Sequence, residues 1–290
     1  MSEDLFTNLK EHKNKVIIIS MALVVLDFLI WFQITNATGG DLEMYFLDVG
    51  QGDSELIVLP GEVKVLIDGG PPNGRVLDEL GMVFELGDRY IDIVILSHPQ
   101  LDHFGGLIEV LKRYNVGAFI WNGAETAASE FPELEKVLRE RNVREVILGA
   151  GDKITNRDSE IFVVSPDESL VKAKDSNDTS LVLELKAKDS TTLFTGDISA
   201  AVEGAISRED VDILKVAHHG SKFSSSADFL EAVKPEMAVI EVGRNSYGHP
   251  TFQTLEGLKR IGAQIFRTDS DGTLKFAIDG NDIKVFKDLW

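Results

Sequence analysis

Short apolar runs separated by polar breaks fill most of this chain, and one stretch near its start departs from that rhythm. From Val16 to Ile34 the sequence reads VIIISMALVVLDFLIWFQI, 19 residues in which only Ser20, Asp27 and Gln33 are clearly polar. At 1.5 Å per residue this run nearly crosses a bilayer's hydrocarbon core, and Trp31 and Phe32 at one end suit the interface. The pattern predicts a tail over residues 1–15, a membrane span over 16–35 and a short linker over 36–43 that contains NATGG. Asp27 falls mid-span, at a cost of about 2.5–3.5 kcal/mol. Lys10, Lys13 and Lys15 precede the span, while Asp41 and Glu43 follow it. The positive-inside rule then puts the N-terminus in the cytoplasm and the remainder outside. A cleaved signal peptide is the competing reading, but the apolar run is longer than a usual signal core and favours an uncleaved anchor.

After the linker the periodicity becomes mixed. Strand-like runs fall at Met44–Val49, Glu55–Leu59, Val63–Ile67, Ile91–Leu96, Ala118–Trp121, Ile161–Val164, Leu181–Leu185, Thr191–Phe194, Ile213–Val216, Met237–Val242, Gln264–Phe266 and Thr273–Ile278. Helical patterns fall at Val76–Phe84, Leu107–Tyr114, Glu133–Glu140, Ala227–Val233 and Phe252–Ile261. Paired strands open each half, and strand–helix alternation follows. That order predicts one domain over residues 44–290, with two sheets packed together and helices outside, an α/β sandwich.

Composition narrows the chemistry. With no cysteine there is no disulfide, thiolate metal site or cysteine nucleophile. Any metal must be held by His, Asp, Glu or amide oxygens, and the chain has six histidines. The formal charge of −19 would repel a polyanion on average, so a nucleic acid would need a local basic patch and help from a metal cation.

The polar residues of interest lie where the apolar runs end: FLDVGQGDS (46–54), LIDGG (66–70), LSHPQLDHFGG (96–106), LFTGDI (193–198), LKVAHHGSKFSSS (214–226) and SYGHP (246–250). In the third, His98 arrives from a strand end, and Asp102 and His103 can converge with it in a turn on one or two metal ions. Nitrogen and carboxylate donors suit zinc or manganese. Asp197 ends a second buried run with a carboxylate able to bridge two metals, and His218-His219 end a third. Five of the six histidines (98, 103, 218, 219 and 249) sit in these loops, which points to one shared site.

Taken in order, these six motifs resemble the metallo-β-lactamase superfamily, and specifically the C-terminal hydrolase domain of the ComEC family of competence DNA-uptake channels. The resemblance covers about residues 44–271 and lacks the channel's many membrane helices, as a singly anchored version of the domain would. It implies an αββα sandwich and one or two divalent ions. Asp102 and His103 match the family's second-site ligands, His98 the first position of the signature, and Asp197 the bridging carboxylate. His219 precedes glycine as the last metal histidine usually does, with His218 as the alternative. Asp68 matches a carboxylate that orients ligands from behind, and Asp48, Gln51 and Asp53 fall in a matching motif. Two departures stand out: Gln100 replaces the second signature histidine, and Asn177-Asp178-Thr179-Ser180 occupies the region where another histidine is often found.

The reaction implied is metal-assisted attack of water on a phosphodiester, with DNA as substrate and a DNA-uptake channel as a possible partner. Asp102 or Asp197 would hold the water, and His218 or His249 would protonate the leaving oxygen. Lys215, Ser221, Lys222, Ser224 and Ser225 are expected to meet the substrate, the serines just ahead of a helix whose first amides could take an anion. Two alternatives remain: a lactone or β-lactam hydrolase, and a non-catalytic DNA-binding module of the same fold.

Overall fold

The computed structural model describes residues 3–37, 40–206, 209–280, 282–287 and 289. Helix α1 (Glu3–Ala37) contains Lys13–Phe32, 20 residues with a mean hydropathy of 2.3, long and apolar enough to cross a membrane. It belongs to a compact unit of residues 1–40 and 60–62, and residues 41–59 and 63–290 form the other.

The second unit holds two mixed sheets. The first contains β1 (Leu42–Phe46), β2 (Glu55–Leu59), β3 (Val63–Ile67), β4 (Tyr90–Ile95), β5 (Asn115–Trp121) and β6 (Arg144–Ile147). The second contains β7 (Lys153–Asn156), β8 (Ser159–Ser165), β9 (Val182–Ala187), β10 (Ser190–Phe194), β11 (Ile213–Lys215), β12 (Met237–Ile240) and β13 (Gln264–Arg267). The chain then returns to the first sheet with β14 (Leu274–Asp279) and β15 (Asp282–Phe286), giving orders β15-β14-β1-β2-β3-β4-β5-β6 and β13-β12-β11-β10-β9-β8-β7. Antiparallel pairing gives way to parallel pairing in each sheet, at β3–β4 and at β10–β11. Helices follow the parallel strands: α2 (Arg75–Val83), α3 (Leu101–Arg113), α4 (Phe131–Glu140), α5 (Ala227–Val233) and α6 (Phe252–Arg260).

Side chains alternate across the strands, as two-sided burial requires. Phe46, Ile57, Ile67 and Ile95 meet Leu183, Phe194, Val239 and Phe266 between the sheets. Leu56, Leu66 and Val94 face Leu80, Leu107 and Leu134 on one outer side. Leu193, Leu214 and Ile240 face Phe229, Leu230 and Leu258 on the other. The result is the α/β sandwich that the patterning predicts.

Three strands escape the patterning: β6, β7 and β15. Each is a sheet edge or lies at one, and their half-exposed side chains leave no apolar signature. Helix α3 corrects the sequence reading more usefully. It begins six residues before the predicted Leu107, so Asp102 and His103 lie in its first turn and not in a loop. Gly105-Gly106 reads as a break, yet it serves close packing. A Cβ on Gly105 would collide with Pro72, and one on Gly106 with the Gly69 carbonyl. The pair lets α3 press its backbone against the loop after β3.

Candidate metal centre

Each motif delivers its side chains at one end of the sandwich. Asp68 follows β3, Ser97 and His98 follow β4, Asp102 and His103 open α3, Asp197 follows β10, and His218-His219 follow β11. The backbone bends sharply to do this. Asp68, His218 and His219 all adopt left-handed conformations, with φ of 54°, 53° and 53°, which non-glycine residues hold only where their surroundings impose it.

The histidines are held from behind. His103 Nδ1 lies 2.8 Å from Asp68 Oδ2, and Asp68 in turn accepts from the Ser97 amide at 2.8 Å and the Ser97 hydroxyl at 2.6 Å. His219 Nδ1 donates to the Glu241 carbonyl at 2.9 Å and lies 3.1 Å from Asp53 Oδ1. His98 Nδ1 meets the Ser97 hydroxyl at 3.1 Å. These contacts leave Nε2 of all three rings buried without a hydrogen-bond partner, as is Asp197 Oδ1. His103 Nε2 and His219 Nε2 lie 3.3 and 3.6 Å from Asp197 Oδ2, and His219 Nε2 is 3.6 Å from Asp102 Oδ2.

Buried polar atoms are normally satisfied, so three orphaned imidazole nitrogens around carboxylates fit a cation held by neutral histidines and ionised acids. Among the donor groups here, two share His103 and face the cleft side: His98, His103 and Asp197, and Asp102, His103 and His219; Asp53 forms further groups behind them. Without a bound cation, the same acids instead draw protons onto two of the rings. Burial pushes His219 down, but Asp197 and Asp53 outweigh it and lift its pKa to about 10. His103 rises against burial for the same reason, through Asp197 and Asp68. For His98, burial and then the charge on His103 win, taking it down to about 3. Burial alone would raise Asp197, yet His219 and His103 hold it well below the carboxylate range.

A model described as the metallo-beta-lactamase superfamily matches residues 47–243, more than half of the chain. The chain belongs to that superfamily. Among curated proteins, ComE operon protein 3 of Bacillus subtilis is 30% identical over 273 residues, covering 86% of this chain and 34% of that protein. Competence protein ComA of Neisseria gonorrhoeae is 29% identical over 259 residues, covering 84% of this chain and 34% of that one. The chain spans about a third of the length of these relatives. The metallo-beta-lactamase fold protein YhfI of Bacillus subtilis superposes with a TM-score of 0.55 at 13% identity, over 81% of this chain and 99% of that one, and shows the shared fold. The six-motif resemblance to competence proteins agrees with these relatives.

Other expected residues fall elsewhere in this metallo-beta-lactamase domain. Asp48 does not reach the cluster; it pairs with Arg75 at 2.7 Å and accepts from the Gly50 amide. Gln51 accepts from the Gly243 amide at 3.3 Å and so joins two loops. Gln100 donates to Ser176 Oγ at 2.7 Å and to Asn177 Oδ1. Gln100 thus meets the stretch over residues 177–180, and Asn177 Nδ2 lies 3.4 Å from His218 Nδ1. His218 Nε2 stands 3.9 Å from Asp197 Oδ2 with its side chain 29% exposed. His249 lies beyond it, ring to ring at 5.6 Å.

The expected substrate contacts need the largest correction. Lys215 is wholly buried, its ammonium paired with Asp53 and donating to the Gly196 carbonyl at 3.1 Å. It lies among Asp53, Glu55 and Glu241, whose oxygens gather within 4.8 Å of one another. Burial would lower Lys215, but Asp53 and Asp197 raise it, so the ammonium stays charged. Ser221 and Ser224 are buried too: Ser221 Oγ accepts from the Phe223 amide and Ser224 Oγ donates to the Ile198 carbonyl. The amides of Ser225 and Ser226 already hold the Glu203 carboxylate, so the chain supplies its own anion there. Of that set only Lys222 is exposed, its ammonium 4.9 Å above the Phe223 ring.

Sequence reasoning missed Ser97, Glu55 and Glu241. Glu241 carried a usable signal, since an acid inside the apolar run MAVIEV must find a buried partner. Beside the cluster, a cleft of about 670 Å³ opens between Gln100, Asp102, Thr126, Lys174 and Ser176.

Proposed function

We propose that the protein is a membrane-anchored, metal-dependent phosphodiesterase acting on DNA and linked to DNA uptake. The observation that carries this reading is the set of unpartnered Nε2 atoms of His98, His103 and His219 around Asp197. His98, Asp102, His103, Asp197 and His219 would hold one or two ions, zinc or manganese by their donor chemistry. Such an ion supplies Lewis acidity toward water and the phosphoryl oxygens. Asp102, 35% exposed and lining the cleft, would hold an incoming water. His218, at the rim of the same cluster, or His249 beyond it, would protonate the leaving oxygen. The relative named as a competence protein supports DNA as substrate and uptake as context. Helix α1, with Lys10, Lys13 and Lys15 before its apolar stretch, supports an anchor with a cytoplasmic N-terminus.

The test is cleavage of single-stranded DNA and bis-p-nitrophenyl phosphate by the full chain in detergent, with manganese, zinc or chelator. Turnover should require metal and fall at least about 100-fold in Asp102→Ala. Undiminished activity in that variant overturns the assignment. A second reading, a DNA-binding module without catalysis, draws on Gln100, which replaces the second signature histidine and meets the stretch over residues 177–180 where another is often found. A purified protein that binds strands but retains no metal would favour it.

A further inference from the structure

A file of aromatic rings leads out of the metal centre to solvent. His219 and His218 have ring centroids 6.0 Å apart, His218 and His249 5.6 Å, and His249 and Tyr247 5.7 Å, the last pair inclined by 31°. The file ends at Tyr247, which is 74% exposed. Its neighbours are exposed as well. Among the described residues outside α1, the three most exposed aromatic side chains are Tyr247, Phe223 at 66% and Phe252 at 78%. All three lie on the loops that carry His218, His219 and His249, or directly after them.

These loops are firmly built. The Asn245 side chain accepts from the amides of Tyr247, Gly248 and His249 and donates to the carbonyls of Gly243 and His249. Thr251 donates from its amide to the Gly220 carbonyl at 2.9 Å, tying this loop to the His218–His219 turn. The ring of Tyr247 is thus presented to water by a loop that its own hydrogen bonds define.

We propose that Tyr247, backed by His249, is a stacking platform for an unpaired base next to the scissile phosphodiester, and that it makes the site selective for single strands. This inference rests on the phosphodiesterase reading. A protein of net charge −19 cannot hold nucleic acid by a broad basic surface. Stacking on an aromatic face needs no such surface and tolerates any base sequence. A base inside a duplex has both faces covered by its neighbours, so only an unpaired or extruded one can use the platform. Lys222, above the Phe223 ring, adds a local cation to the same rim.

The test uses the full chain and fluorescence anisotropy with three probes: a phosphorothioate-linked single strand, the same backbone with abasic sites, and a duplex. Wild type should bind the base-bearing strand about tenfold more tightly than the abasic strand or the duplex. Tyr247→Ala should abolish the preference for bases, while Tyr247→Phe should keep it. Equal binding of base-bearing and abasic strands by wild type overturns the proposal, as does a preference that survives in Tyr247→Ala. The outcome is separable from cleavage. A protein that hydrolyses phosphodiesters without sensing bases loses only the platform, and one that senses bases but cleaves nothing loses only the hydrolase reading.

Discussion

Around Lys215, the carboxylates of Asp53, Glu55 and Glu241 are fully buried together with a cation that the chain provides. Toward the cleft, Asp102 and Asp197 face three histidines whose Nε2 atoms have no hydrogen-bond partner. Asp53 touches both groups, pairing with Lys215 and lying 3.1 Å from His219 Nδ1. The inner group is closed by an ion pair from within the chain, since its counter-ion arrives on β11 whenever the protein folds. Even so, one ammonium does not ionise three acids: burial, with the charge on Asp53, lifts Glu241 to about 7 and raises Glu55 as well. The outer group has donors of the kind that metals use, and the lysine reaches only its edge, with the Lys215 ammonium 3.9 Å from Asp197 Oδ1. A cluster of acids is therefore not by itself a metal site; what separates the two is whether a built-in cation already satisfies it.

The largest expected effect comes from emptying the inner group. Lys215→Met leaves Asp53 as an uncompensated buried charge and should cost about 3–5 kcal/mol of stability, read from denaturant unfolding. Saturating manganese should not restore it, because the proposed ligands for that ion lie in the outer group. A variant as stable as wild type would show that Lys215 neutralises nothing.

A smaller effect tests the outer group from behind. Asp68→Asn keeps the shape but weakens the contact that orients His103 through Nδ1. Metal titration should show a loss of about 10- to 100-fold in affinity, with the fold preserved by circular dichroism. Unchanged affinity would separate Asp68 from the centre.

The smallest effect belongs to a pair that water reaches. Lys64 bonds Asp88 at 2.6 Å and, with the Tyr90 amide, holds its carboxyl below the ordinary 3.8. Its contribution is present above that ordinary value and disappears as pH falls through the lowered one. Because the pair is solvent-screened, Asp88→Asn should cost only about 0.5 kcal/mol at pH 7 and progressively less as pH falls below the ordinary value. A cost that does not change with pH would remove the charge from the explanation.

The sandwich and the positions of the motif loops could be read from sequence because buried strands leave apolar runs, and the breaks between them are polar for a reason. His98, Asp102, His103, Asp197 and His219 were visible as donors for the same reason. The role of Lys215 was not visible, since a lysine at a strand end ordinarily reaches water. Here β11 is flanked by β10 and β12 and covered on its helical side, so the stem has nowhere to go but inward. Ser224 and Ser225 misled similarly: Glu203, 21 residues before Ser224, fills the amide nest, and nothing local in the sequence announces it.

Gly105 and Gly106 bear no chemistry, yet they set a mechanical tolerance for the residues that do. With backbone seated on backbone, α3 has no side-chain cushion through which its first turn could drift. Asp102 and His103 therefore inherit their spacing from Asp68 as a rigid offset. A methyl group added at either glycine should act as a shim, moving two donors together and mistuning the centre without touching a single ligand.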